Sequence, residues 1–202
     1  MITLSRFCTL NSAALNNMLP RTQDVIRYIN NNSISFGPRK YFEIDLLKRP
    51  GLSEAAFRYA KSHVELHGPN IREWIEDDSH LDRLYDDSVQ YINSLSGRKS
   101  SVQKMTPVDR KSVWYESKNI VEFLDIQCSS NDECEYLFRP LLPGCGVVGP
   151  SEADIEIGLT LWELKSLSHG FTSYALRQLV CYATLNHMSN NNSYTHIGLC
   201  NP

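Results

Sequence analysis

No stretch of the 202-residue sequence approaches the ~18 apolar residues that a bilayer-spanning helix needs. The opening MITLSRFCTLNSAALNN also lacks the apolar run and small-residue cleavage site of a secretory signal. The expectation is a soluble, cytoplasmic protein without a membrane partner, in which Asn31-Asn32-Ser33 and Asn191-Asn192-Ser193 match the glycosylation pattern by chance. An excess of charge of one sign is missing too. Twenty Lys and Arg against 23 Asp and Glu leave a net charge of −3. That excludes a strongly basic nucleic-acid coat and a polybasic membrane binder, but not an enzyme whose basic groups are confined to one cleft. None of the six cysteines forms a CxxC pair, and Cys128, Cys134 and Cys145 are 6 and 11 apart. Zinc and thioredoxin spacings are therefore absent, and reduced thiols are expected. There is no internal repeat, P-loop, Rossmann glycine pattern or serine-hydrolase elbow.

What is present suits a globular chain: 42% hydrophobic and 21% charged residues, with length for one mid-sized domain or a domain with an appendage. Residues 1–105 read as a helical N-terminal region. Residues 11–30 suggest one or two short helices broken near Pro20, and Gly37-Pro38 marks a loop. Ser53 caps a helix that runs to His67 and stops at Gly68-Pro69. Residues 70–95 carry apolar positions at helical spacing, as one long or two shorter helices. Glu76, Asp77 and Asp78 read as a solvated face, and a shared metal is disfavoured because consecutive helical residues point apart. Residues 97–107 are polar and carry Arg98, Lys99 and Lys104, as a solvated linker or a loop that touches phosphate. Residues 108–124 read as a further helix bearing Glu116 and Glu122.

The character changes after Cys134. Residues 136–142 are strand-like, Pro143-Gly144 and Gly149-Pro150 are turns, and residues 154–157 and 160–167 are extended. A helix over 171–188, a polar loop over 189–193 and a last strand over 194–200 follow. This order predicts an α/β (α+β) fold with a mixed sheet.

One segment carries chemistry. Ile157-Gly158-Leu159-Thr160 places Gly first in a two-residue type II′ hairpin turn. Counting back from it, Ile157 pairs with Thr160, Glu156 faces Leu161, Ile155 faces Trp162 and Asp154 faces Glu163. Directly opposed residues have Cβ atoms about 4.5–5.5 Å apart, and opposed like charges destabilise a sheet. A divalent cation relieves that repulsion, since two carboxylates plus a carbonyl make a hard oxygen site suited to Mg²⁺. Lys165 shares the carboxylate face, where it can orient a water or balance phosphate charge. Ile155, Ile157, Trp162 and Leu164 occupy the other face, expected in the core. On the next helix Gln178 and Tyr182, four apart, lie on one side.

Asp154, then Glu163-Leu164-Lys165, then Gln178-x-x-x-Tyr182 resembles the PD-(D/E)xK nuclease superfamily, in particular the RecB-like branch with a Q-x-x-x-Y motif. The likeness spans residues 135–202, about a third of the chain. It implies a restriction-endonuclease-like mixed sheet flanked by helices, with a core over 106–202 behind the helical region 1–105. It also implies Mg²⁺- or Mn²⁺-dependent hydrolysis of phosphodiester bonds, of DNA rather than RNA, in repair, recombination or anti-phage defence. Asp154 and Glu163 would hold metal through their side chains and Leu164 through its backbone carbonyl. Lys165 would position water or stabilise transition-state charge. Gln178 would orient the site or contact the strand, with Tyr182 packing behind it. Arg177 is a phosphate contact or a helix-surface arginine. Family members often add an acidic ligand from an upstream helix, for which Glu116 and Glu122 are both open. Relatives usually continue past the last strand, so a missing C-terminal part, a partner protein or a homo-oligomer would complete the sheet. An iron–sulfur cluster is not expected, because Cys200 is the only cysteine after the Q-x-x-x-Y helix. Ser168 reads as a helix cap or turn residue, and His169 as a loop histidine or one that approaches substrate phosphate. Two other readings are a catalytically silent nuclease-fold module that binds nucleic acid or an assembly, and an unrelated α+β protein whose hairpin charges are incidental.

Overall fold

A computed structural model of the chain describes residues 1–35, 40, 42–96, 103–129, 134–167, 170–189 and 194–202. In chain order the helices are α1 (Leu4–Leu10), α2 (Ser12–Met18), α3 (Thr22–Asn32), α4 (Arg49–His67), α5 (Leu81–Ser96), α6 (Pro107–Cys128) and α7 (Ser173–Met188). The strands are β1 (Tyr136–Phe138), β2 (Leu141–Leu142), β3 (Ser151–Glu152), β4 (Ile155–Ile157), β5 (Thr160–Leu164) and β6 (His196–Cys200), and a short 3₁₀ turn covers Ile71–Glu73. The fold is therefore mixed α+β. Among the described residues no helix is long and apolar enough to cross a membrane.

The chain forms two compact units, residues 1–35 with 133–201, and residues 36–132 with Pro202. This differs from a division at 105/106, for a reason of packing. In the first unit Leu4, Cys8 and Leu15 of α1 and α2 bury against Leu161 of β5 and Leu179 and Tyr182 of α7. In the second, α6 buries Val113 and Trp114 with Leu52, Ala56 and Leu81 of α4 and α5. The N-terminal helices thus belong with the sheet, and α6 belongs with the helices before it.

The first unit holds a four-stranded sheet of order β1-β4-β5-β6 and a two-stranded sheet of β2 and β3. β1, β4 and β5 are antiparallel, whereas β6 runs parallel to β5. A parallel neighbour needs a crossover, and α7 supplies it. The β4–β5 register is Ile155↔Trp162, Glu156↔Leu161 and Ile157↔Thr160, as the turn predicts. Gly158 has φ +55° and is the only residue of that turn with positive φ, which is the II′ pattern and not I′. Trp162 lies opposite Gly198 on β6, where a Cβ would come within 2.2 Å of the indole. Glycine there lets the ring cover the neighbouring strand. Between β1 and β2 Arg139 takes φ +55°, which ends the strand inside the run 136–142.

In the second unit α4 starts at Arg49, four residues before the expected Ser53 cap, because Pro50 fits the first helical turn. It ends at Gly68, φ +71°. Residues 70–95 are not continuous helix: the 3₁₀ turn and an irregular stretch precede α5. A capping box between Thr106 and Asp109 starts α6, and Lys48 donates to Asp109 Oδ2 at 2.9 Å. Cys128 and Cys134 are disulfide-bonded, which corrects the expectation of reduced thiols throughout. A six-residue separation is short enough to bring two Cα atoms within the about 4.4–6.8 Å that a disulfide spans. The loop at Gly37-Pro38, the Arg98-Lys99 part of the linker, Ser168, His169 and residues 190–193 lie outside the described residues.

Candidate active site

The hairpin positions the acidic pair. Asp154 lies one residue before β4, its carbonyl accepting from Arg139 N–H at 2.8 Å. The Ile155↔Trp162 pairing, extended one step, sets Asp154 opposite Glu163. Asp154 Oδ2 accepts from Leu164 N–H at 2.7 Å, so the aspartate also ties the two strands together. Lys165 carries the β5–β6 ladder one step further, donating its N–H to Cys200 O at 2.8 Å.

The acidic face is not the open one. Glu163 is only 2% exposed and shares its side of β5 with Leu161, beneath α7. Glu163 Oε1 accepts from Lys165 Nζ, while Oε2 is buried and accepts nothing. Burial pushes the Glu163 carboxyl up, the Asp154 charge pushes it further, and Lys165 draws it back, leaving it at about 8. Burial would lower the Lys165 ammonium, but the Glu163 and Asp154 charges carry it above its ordinary range. A hydrogen bond between the Glu163 and Asp154 carboxyls adds to the upward push, so Glu163 keeps its proton at neutral pH. On the same face Glu156 accepts from Tyr194 Oη at 2.7 Å.

α7 supplies the rest. Thr172 caps it by accepting from Ala175 N–H at 3.4 Å. Gln178 is 5% exposed and donates from Nε2 to Tyr182 Oη at 3.1 Å, which leaves its buried Oε1 without a partner. Tyr182 is buried as well. That burial and the Glu163 charge hold its phenol protonated, well above the usual range. Arg177 is not a surface arginine. It is 9% exposed, and Nη1 donates to Asn16 Oδ1 at 2.5 Å.

The first unit therefore gathers Asp154, Glu163, Leu164, Lys165, Gln178, Tyr182 and Arg177. Glu116 and Glu122 both lie on α6 in the second unit, where Glu116 Oε2 accepts from Ser53 Oγ at 3.4 Å. Among the described residues no group of three or more His, Cys, Asp or Glu side chains is arranged to hold a metal ion. The charged groups beside Glu163 are the Asp154 carboxylate and the Lys165 ammonium, and Gln178 Oε1 on α7 is a further buried oxygen without a partner.

Three asparagines escape sequence reasoning. Asn16 anchors Arg177. Asn30 donates to Phe171 O at 3.0 Å and accepts from Phe171 N–H at 2.8 Å. Asn201 does the same for Leu167, at 3.0 Å in both directions. Both ends of the β5–α7 connector are thus pinned by side-chain amides. A Cβ at Gly170 would lie 2.6 Å from Asn30 Oδ1, so glycine leaves room for the clamp. Asparagines 141 and 34 positions from their partners carry no local signal of this role. No protein-family model matches the chain, and no curated protein or solved structure matches it.

Proposed function

We propose that this protein is a divalent-metal-dependent nuclease that hydrolyses phosphodiester bonds, with DNA as the substrate. The observation that carries the reading is the approach of half-buried Asp154 to buried Glu163 across the hairpin, with Glu163 Oε2 accepting no hydrogen bond and Lys165 beside it. A buried carboxylate oxygen without a donor is costly unless it is protonated or meets a cation. Asp154, Glu163 and the Leu164 carbonyl fit Mg²⁺ or Mn²⁺, which prefer hard oxygen donors. When bound, such an ion would supply Lewis-acid polarisation of a phosphoryl oxygen and easier deprotonation of water.

The chain's own residues do the remaining work. Lys165 holds a cation next to the carboxylates, where it orients the attacking water and offsets charge that builds on the phosphate. Gln178, steadied by Tyr182, keeps a buried amide oxygen on α7 free of other partners. Arg177, locked by Asn16, fixes a positive charge one residue away on α7.

The test is cleavage of supercoiled, linear and single-stranded DNA in Mg²⁺, Mn²⁺ or EDTA, with Lys165→Ala and Glu163→Gln alongside. Metal-dependent cutting that falls at least about 100-fold in both variants is expected, in keeping with loss of a group acting on transition-state charge. Metal-insensitive DNA binding with no cutting would replace this reading by the silent binding module. Neither binding nor cutting would favour incidental hairpin charges.

A further inference from the structure

Beside the carboxylates, the first unit holds a pair of thiols that the nuclease reading does not use, next to an arginine that it does. Cys8 on α1 is fully buried, and Cys181 on α7 is partly exposed. Both are free thiols packed in the same core cluster, where α1 lies on α7. Arg177 stands one helical turn before Cys181, on the same side of α7. Its Nη1 is taken by Asn16, but its Nε is buried and donates to nothing. Among the described residues no carboxylate forms an ion pair with this guanidinium. A buried cation with a spare donor beside a sulfur is an anion site in search of its anion.

We propose that Cys181 is a peroxide-reactive thiol, that Cys8 is its resolving partner, and that Arg177 supplies the charge and the donor that make Cys181 the attacking sulfur. The two thiols perturb each other in opposite senses. The neighbouring Cys8 and the Arg177 charge draw the Cys181 thiol below its ordinary value against the effect of burial. Cys181 and burial push Cys8 far above it. One thiolate beside one thiol is the arrangement that attack and resolution need. The Cys181 sulfur attacks one peroxide oxygen, the O–O bond breaks, and the sulfur loses two electrons to give a sulfenic acid and water. The Cys8 sulfur then attacks the Cys181 sulfur. The S–O bond breaks, and the oxygen leaves as a second water with the Cys8 proton. Two thiols and one peroxide become one disulfide and two waters. The spare Arg177 Nε–H is the donor for the oxygen in both steps. The product ties α1 to the helix that carries Gln178 and Tyr182.

The readout is thiol chemistry and stands apart from DNA cleavage. The full chain, freed of reductant, is treated with equimolar hydrogen peroxide, quenched at intervals with iodoacetamide and mapped by peptide mass. Exposed Cys145 is the internal comparator and buried Cys200 the unreactive control. The expected result is a Cys8–Cys181 cross-linked peptide, lighter than its parts by two hydrogens, with Cys181 lost about tenfold or more faster than Cys145. In Cys8→Ser, Cys181 still reacts but stops at a sulfenic acid that dimedone traps. Arg177→Met brings the Cys181 rate down to that of Cys145, and Arg177→Lys restores part of it. Cys181 reacting no faster than Cys145 in the unmodified protein overturns the proposal, as does a disulfide between any other pair of the four free thiols.

Discussion

At the scale of the residue, Glu163 is the most informative side chain in the protein. A carboxyl raised from 4.5 to about 8 binds its proton more tightly in the folded chain than in the unfolded one. Between those values the folded state carries more protons, so stability must fall as pH rises from about 4.5 to about 8. The contribution is whole below that window and lost above it. In EDTA, the Tm of the unmodified protein relative to Glu163→Gln should therefore decline between pH 5 and pH 8. Adding Mg²⁺ at pH 8 should recover much of the loss, because an ion that binds only the folded, ionised site stabilises it by mass action. Parallel Tm profiles of the two proteins would show that Glu163 is not a proton-holding carboxylate. The β4–β5 register next to Asp154 and Glu163 was legible in the sequence, because a glycine turn and a period of two are local rules. The burial of that face was not, since it depends on α1, α2 and α7 arriving from far along the chain.

At the scale of the element, the contrast lies between the hairpin and the connector after it. The β4–β5 register follows from one glycine, and a run of alternating residues reports it. In the β5–α7 connector, Leu167 and Phe171 are held by Asn201 and Asn30, each making a two-way bond to a single residue's backbone. Polar residues in asparagine-rich stretches look like solvated loops until the fold brings them to a target. Their effect should be measurable. Asn30→Ala leaves the N–H and C=O of Phe171 without their partners, at about 0.5–1.5 kcal/mol for each hydrogen bond. Asn30→Asp keeps the acceptor and loses the donor, so its cost should fall between those of the unmodified protein and the alanine variant. Chemical denaturation of the three proteins checks the order. If Asn30→Ala is as stable as the unmodified chain, the clamp contributes nothing. The missed helix α1 belongs to the same class. Its seven residues include three polar ones, and it is held as much by Leu4 and Cys8 in the core as by its own turn.

At the scale of the whole molecule, the polar stretch 97–107 suggested a helical region over 1–105 followed by a nuclease-like core over 106–202. Contacts divide the chain otherwise, because helices join the unit that buries their apolar faces. The N-terminal 35 residues cannot be an appendage if Leu4, Cys8 and Leu15 are core partners of Leu161, Leu179 and Tyr182. A fragment of residues 106–202 would expose those partners and keep α6 without α4 and α5. Each large apolar side chain returned to water costs about 1.5–3 kcal/mol, and a whole domain has only about 5–15 kcal/mol to lose. The fragment 36–132 is different. It keeps α4, α5 and α6 with their shared core of Leu52, Ala56, Leu81 and Val113. Expressed separately, the fragment 36–132 should therefore melt cooperatively with a helical circular dichroism spectrum. The fragment 106–202 should lack a cooperative transition and bind a hydrophobic dye. A cooperative melt from residues 106–202 alone would mean that the sheet and α7 close a core without α1 and α2. The Asn16–Arg177 and Asn30–Phe171 bonds would then be additions to a finished site and not part of what builds it.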